Sequence, residues 1–173
     1  WRGCGDGKCW LTVGITGDER TTANALKVAR AHLSNFGAVY VPVLGPKWAE
    51  NRFKGPYMRN ALWEHGYSAD TIETAVDWPQ VKNLMNAMEQ AARDAFGTYG
   101  EKVHAFTHLS HLYPQGSSIY STFVWATALG GFAPNHERWL RYKTAVSAAI
   151  LAHGGTASHQ HGIGRDHAAN MAM

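Results

Sequence analysis

Apolar and polar positions alternate from residue 9 to 16. Cys9, Leu11, Val13 and Ile15 fall on one face and Thr12, Gly14 and Thr16 on the other, and a period of two predicts a strand. Asp18 and Glu19 then suit the positive end of a helix dipole. Leu26, Ala29, Leu33 and Phe36 follow at helical spacing, and Gly37 is a natural stop. Ala38 to Leu44 is a short Val-rich run that reads as a second strand. Gly45-Pro46 and Gly55-Pro56 break the next stretch into two short helices, the second ending at Gly66. A new unit opens at Tyr67, with a strand to Val76. Asp77 stands at a capping position and Pro79 in the first turn, where a missing N–H is harmless. Val81, Leu84, Met85, Met88, Ala92 and Phe96 mark one face of a long helix closed by Gly97. Lys102 to Tyr113 and Ser117 to Thr127 read as a hairpin around Pro114-Gln115-Gly116. A helix through Trp139, Tyr142, Val146 and Ile150 ends at Gly154-Gly155, and Thr156 to Gln160 reads as a last short strand.

The expected class is therefore α+β. Residues 67–173 follow the split βαβ order of a ferredoxin-like antiparallel sheet with helices on one face. Residues 1–66 form an extra strand-helix-strand unit with connecting helices before it.

Composition narrows the function. Hydrophobic residues make up 45% and charged residues 17% of the 173 positions, which excludes a disordered chain. A formal net charge of +3 is spread along the sequence and gives no basic stripe for nucleic acid. The longest apolar stretch, Phe123 to Ala133, has 11 residues, against about 20 for a bilayer span. Two cysteines cannot build a disulfide framework, so a reducing, cytoplasmic setting is expected. Cys4 and Cys9 lack the second pair a zinc knuckle needs. The Gly-rich run Gly3–Gly7 precedes a strand rather than joining strand to helix, so it is not a phosphate loop. The chain opens at Trp1 without an initiator Met or a signal-peptide pattern, and it reads as a piece of a longer protein.

The load of 10 His, 7 Trp and 18 Gly is heavy for this length. His159 and His161 are two apart after a strand-like Thr156-Ala157, so they share a face, and Gly162 and Gly164 follow. One such His is ordinarily a solvated turn residue; two before a Gly-x-Gly turn favour a functional role. His104 and His108 share a face on the strand before the hairpin, with His111 pointing opposite. If His108 or His111 meets His161 across the sheet, the cluster can move protons near neutral pH or bind a metal. Tyr120 on the returning strand can exchange a proton beside a cation or imidazole, although spacing alone reads it as a core aromatic. Arg59, after Gly55-Pro56-Tyr57-Met58, can present a bidentate fork to an anion, although such a residue is ordinarily solvated.

Five stretches carry a resemblance. They are Lys54-Gly55-Pro56-Tyr57-Met58-Arg59-Asn60, Asp70-Thr71-Ile72-Glu73-Thr74-Ala75 with Trp78, Ser110-His111-Leu112-Tyr113, Gly116-Ser117-Ser118-Ile119-Tyr120, and Gly155-Thr156-Ala157-Ser158-His159-Gln160-His161-Gly162-Ile163-Gly164. In this order they resemble the C-terminal domain of FAD-linked oxidases of the vanillyl-alcohol oxidase superfamily, in the branch of the alkyldihydroxyacetonephosphate synthases and their bacterial oxidase relatives. The resemblance implies a cap over the flavin ring, with FAD held mainly by a domain outside this sequence. The isolated chain is then expected to be inactive. In the synthase branch a fatty alcohol replaces an acyl group with no net redox change; in oxidase and dehydrogenase relatives a hydride leaves a hydroxyl-bearing carbon. It implies Tyr120 as acid/base, His159 and His161 as its partners, Arg59 for the anionic head of a small-molecule or lipid-precursor substrate, and Thr71 as a further substrate contact; His108 and His111, from the His cluster read above, are expected to support them. Gln160 departs from the synthases' triple His, and Pro114 from the Asp that often follows the hairpin Tyr. The run His159-Gln160-His161-Gly162-Ile163-Gly164 followed by Asp166-His167 looks more like the bacterial oxidase relatives.

Two other readings are set beside this one. A His-cluster metal enzyme or module would use His108 or His111 with His159 and His161, although the flavoenzyme reading needs no metal. An assembly module, including a homodimer, would use Trp1, Trp10 and Trp48 as its contact surface.

Overall fold

The computed structural model describes residues 9–171. Trp1, Cys4 and the Gly3–Gly7 run lie outside the described residues. The chain divides into two compact units, Trp1–Pro56 and Tyr57–Met173.

The first unit contains α1 (Glu19–Ser34) and α2 (Leu44–Asn51). Asp18 caps α1: its Oδ1 accepts from the Thr21 N–H at 2.9 Å and its Oδ2 from the Thr21 hydroxyl at 2.6 Å. These bonds hold its carboxyl below the ordinary value. The two strands expected at 9–16 and 38–44 are not formed. An alternating pattern becomes a strand only when its backbone groups pair with a neighbour, and neither segment has one among the described residues. Their apolar side chains stay in solvent, as Leu11, Val13 and Val39 do, the last at 86% exposure. The extra strand-helix-strand unit is thus a helical one. Trp10 and Trp48 are also exposed.

The second unit opens with α3 (Met58–Glu64), which packs on the first strand. It continues with β1 (Tyr67–Asp77), α4 (Trp78–Gly97), β2 (Val103–Leu112), β3 (Gly116–Ala126) and α5 (Phe132–Ala152). The strands pair antiparallel in the order β1-β3-β2. Asp77 occupies the N-cap of α4 without a side-chain bond.

Alternation along β1 sends Asp70, Ile72 and Thr74 to the helix-covered face and Thr71 and Glu73 to the other. Across the register, Ile119, Phe123 and Trp125 share the covered face. Val81, Leu84, Met88, Ala92 and Phe96 of α4 and Tyr142, Val146 and Ile150 of α5 complete the core. Phe96, Phe123 and Trp125 all lie within 5.7 Å of Tyr142, centroid to centroid, a normal spacing for packed aromatic rings.

The predicted last strand is not formed either. Residues 156–159 run beside β1 but make only two backbone bonds to it, Thr156 N–H to Ala75 O at 3.0 Å and His159 N–H to Glu73 O at 3.1 Å. Gln160 at φ 62° and Gly162 at φ 73° turn the chain away before a ladder can extend. The sheet therefore has three strands, and the four-stranded ferredoxin-like arrangement is not completed. Gly154 ends α5 in the left-handed region at φ 72°, and the Gly155 N–H returns to Ile150 O at 2.9 Å, closing the helix as a Schellman turn.

Gly116 starts β3 against the end of β1. A Cβ there would lie 2.1 Å from the Val76 carbonyl oxygen, and backbone cannot retreat as a side-chain tip can. Gly116→Ala is expected to destabilise the chain by about 1–3 kcal/mol or more, read as a lowered urea midpoint. An unchanged midpoint would contradict this packing.

Candidate active site

The uncovered face of the sheet carries the chemistry. Tyr120 is central, with Glu73 opposite it on β1 and His108 opposite it on β2. Its ring packs against His108 at 4.9 Å and edge-on against His161 at 5.7 Å. His159 and His161 do not sit on a strand, yet both turn back to one residue, Glu73. His161 Nε2 lies 2.9 Å from Glu73 Oε2, and His159 Nδ1 lies 3.2 Å from Oε1.

His111 joins them, against the expectation that it points away. Leu109 pairs with Ile119 and Leu112 with Ser117, so Ser110 and His111 both oppose Ser118. That two-against-one count is a β-bulge, which re-aims side chains. It brings Ser110 Oγ to 2.6 Å from Glu73 Oε1, donating, and His111 Nδ1 to 3.6 Å from the same oxygen.

Glu73 is the residue that the sequence reading missed as a site member. Its side chain is 3% exposed, and a buried carboxylate needs partners to stay charged. Burial pushes its carboxyl up, but the bonds from Ser110 and His159 and the charges of His161 and His159 outweigh that and hold it below the ordinary value. The signal was present: Glu73 shares the parity of Thr71 and falls on the face opposite Ile72 and Thr74. Tyr113 was missed as well; its hydroxyl lies 3.1 Å from His159 Nε2. Glu73, His111 and His159 each offer one ligand atom, all within 4.8 Å of one another.

The open edge of β1 has a cavity of about 310 Å³ whose wall includes Thr71, Glu73, His161, Lys143 and His167. His167 is buried, and that burial, with Lys143 and His161 nearby and against the pull of Asp166, lowers its pKa and favours a neutral ring. Arg59 is elsewhere. It lines a second cavity of about 620 Å³ with Trp63, Tyr67, Trp139 and Lys143. Asp70, Lys143 and Asp166 border both cavities. Tyr120, His108, His111, His159 and His161 are thus gathered around Glu73, Thr71 lies at their margin, and Arg59 is not among them.

The family model of the FAD linked oxidases, C-terminal domain, matches residues 2–173. The chain belongs to this family. Among curated relatives, this FAD-linked oxidase C-terminal domain is 29% identical over 123 residues to alkyldihydroxyacetonephosphate synthase of Dictyostelium discoideum, covering 71% of the chain and 20% of that protein. It is 26% identical over 163 residues to the enzyme of the same name from Trypanosoma brucei brucei, covering 91% of the chain and 26% of that protein. The chain therefore spans about a quarter or less of these relatives. A solved structure of alkyldihydroxyacetonephosphate synthase superposes with a TM-score of 0.69 at 23% identity, over 80% of this chain and 25% of that one. At that identity the match speaks for the fold alone. No helix among the described residues is long and apolar enough to cross a membrane.

Proposed function

We propose that this domain is the cap over the flavin in an FAD-dependent enzyme of the alkylglycerone-phosphate synthase type, and that it supplies the acid/base groups of the site. The observation that carries the reading is Tyr120 packed between His108 and His161, with His161 anchored on buried Glu73.

The fit to FAD divides by part of the cofactor. The described residues of this unit offer no cradle for its pyrophosphate. Pro79, in the first turn of α4, removes a backbone donor. The Gly130-Gly131 loop before α5 is filled by the Asn135 side chain, whose Nδ2 donates to Ala128 O at 3.0 Å and Gly131 O at 2.7 Å. The uncovered sheet face does suit a flavin's reactive edge, because it presents a phenol and imidazoles. Tyr120, His108 and His161 are the residues that would meet it, and another domain would hold the phosphates. When bound, the flavin supplies the electron-pair acceptor.

The chain's own groups move protons. The Tyr120 phenol gives up or returns a proton at the substrate's reacting oxygen or carbon. As the phenol oxygen takes the substrate's proton, His161 beside it takes the phenol's own hydroxyl proton at an imidazole nitrogen, and the Glu73 carboxylate stabilises the imidazolium formed. His159, held between Tyr113 and Glu73, fixes the carboxylate's orientation. Arg59 binds the anionic head of the substrate from the adjoining cavity, where Trp63 and Trp139 offer apolar surface to its remainder. Thr71 lines the other cavity, whose wall also includes Asp70 and Lys143.

The test is an exchange assay on the intact, flavin-loaded protein with an acyl-dihydroxyacetonephosphate and a fatty alcohol. Release of fatty acid with formation of the ether product is expected. Bleaching of the flavin by a 2-hydroxy acid instead would move the assignment to the oxidase branch. Neither response across both substrate classes would overturn the reading.

A further inference from the structure

We infer that His167 and Ser158 bind a neutral substrate oxygen, the carbonyl oxygen beside the reacting carbon, in the cavity at the open edge of β1. The inference rests on the cap reading and deepens it by naming the group that this cavity takes.

Two orphaned polar atoms in one wall carry it. His167 Nδ1 and Ser158 Oγ are both buried without a hydrogen-bond partner, and both residues line the cavity of about 310 Å³. His167 is only 8% exposed. A buried polar atom left unpaired carries its full desolvation cost, so two in one wall call for a polar occupant. Backbone bonds fix both residues. The His159 N–H donates to Glu73 O at 3.1 Å and holds the neighbouring Ser158 beside β1. The His167 N–H donates to Ile163 O at 3.2 Å and closes the turn through Gly164.

The chemistry of the wall selects the occupant. Burial, with Lys143 and His161 nearby, favours a neutral His167 ring, and a neutral imidazole has one N–H to give. With that proton on Nδ1, the ring and the Ser158 hydroxyl make two donors, which match the two lone pairs of a carbonyl oxygen. A neutral imidazole can polarise a carbonyl in this way. Lys143 adds no spare charge: its Nζ lies 3.2 Å from Asp70 Oδ2 and donates to Thr71 O at 3.3 Å. Glu73 and Asp166 stand in the same wall, which disfavours a second anion. A neutral oxygen fits donors of this kind.

The cavity is joined to the proposed proton chemistry. His161 and Glu73, the partners of the Tyr120 phenol, both line it. Lys143 and Asp166 border it and the Arg59 cavity alike. A ligand with its anionic head toward Arg59 therefore turns its carbonyl toward His167. Hydrogen bonds to that oxygen draw electron density from the adjacent carbon and make its proton easier to remove.

The probe is dihydroxyacetone phosphate with carbon-13 at its carbonyl, bound to the intact flavin-loaded protein and read by infrared difference spectroscopy. The carbonyl stretch is expected below its position in water, and the shift should be lost in His167→Phe and reduced in Ser158→Ala. His167→Asn keeps an N–H near the place of Nδ1 and should restore part of it. In the exchange assay, His167→Phe should lower kcat by about 10²-fold or more, the effect of removing one donor from a developing charge, with KM changed little. Far-UV circular dichroism and flavin absorbance check that each variant is folded and loaded. A carbonyl band at its solution position in the parent, or an equally shifted band in folded His167→Phe and Ser158→Ala, would overturn the subsite. The infrared reading needs no turnover, so its outcome is separate from that of the exchange assay that decides the cap reading.

Discussion

Tyr120→Phe in the intact flavin-loaded protein is expected to lower kcat by about 10²–10⁴-fold, the range for losing a positioned acid/base group, with FAD still bound. The ring stays, so its packing against His108 and His161 survives and the fold is not asked to repack. Only the hydroxyl is lost. KM should change little, since the phenol acts on a proton and is not the anchor of the anionic head. Single-turnover kinetics reads the chemical step, and the flavin absorbance of the purified variant reads occupancy. Turnover within a few-fold of the parent would remove Tyr120 from its role. His161→Asn gives the companion result: loss of the proton-exchanging imidazole beside the phenol should change the shape of the pH–rate profile, which a purely packing role would leave in place.

How legible this site was depended on whether each residue's position followed from local periodicity. The second unit was readable because its elements are regular. α4 and α5 carry their apolar faces at helical spacing, and β1 to β3 alternate, so the core from Ile72 to Ile150 follows from parity. The first unit misled because Cys9–Thr16 and Ala38–Leu44 have strand-like patterns but no partner among the described residues to complete a ladder. His111 misled for a different reason. A bulge is one residue's slip in pairing, and nothing in Ser110-His111-Leu112 announces it. His159 and His161 were placed together by assuming a strand; what joins them is a shared carboxylate, reached from an irregular loop. Glu73 carries no local motif beyond its parity on β1, yet the group that organises the imidazoles is the one acid that the strand buries. Arg59 shows the opposite limit: its assignment came from the family resemblance, and its neighbours are those of the α3–α5 cavity, not those of Tyr120.

Asp70→Ala is expected to cost about 1.5–3 kcal/mol of stability at neutral pH, the range for losing hydrogen bonds to a charged, half-buried group. Asp70 is the point where α5 is fastened to β1. Its Oδ2 accepts from Trp139 Nε1 at 2.7 Å and from the Tyr142 hydroxyl at 2.7 Å, with Lys143 Nζ at 3.2 Å, and its Oδ1 accepts from the Thr71 N–H at 2.8 Å. Residues 139, 142 and 143 are the three- and four-residue neighbours of one helix face, so a single carboxylate engages them all. Alanine would leave the Tyr142 hydroxyl without its acceptor inside the aromatic core, and an unpaired buried donor carries its full desolvation cost. The pH dependence follows from the carboxyl's state. Burial works to raise its pKa, but Lys143, Tyr142, Trp139 and the Thr71 N–H outweigh burial and hold it below its ordinary 3.8. A depressed folded value means that the stabilisation is complete above the unfolded value and is lost as pH falls through the folded one. Burial and the adjacent carboxylate push the Tyr142 phenol upward, so it remains a donor across the whole range. The gap between parent and Asp70→Ala in urea unfolding should therefore be widest near pH 7 and narrow below about pH 4. A gap that is small at neutrality, or one that grows on acidification, would show that the helix is held to the sheet by its apolar contacts alone.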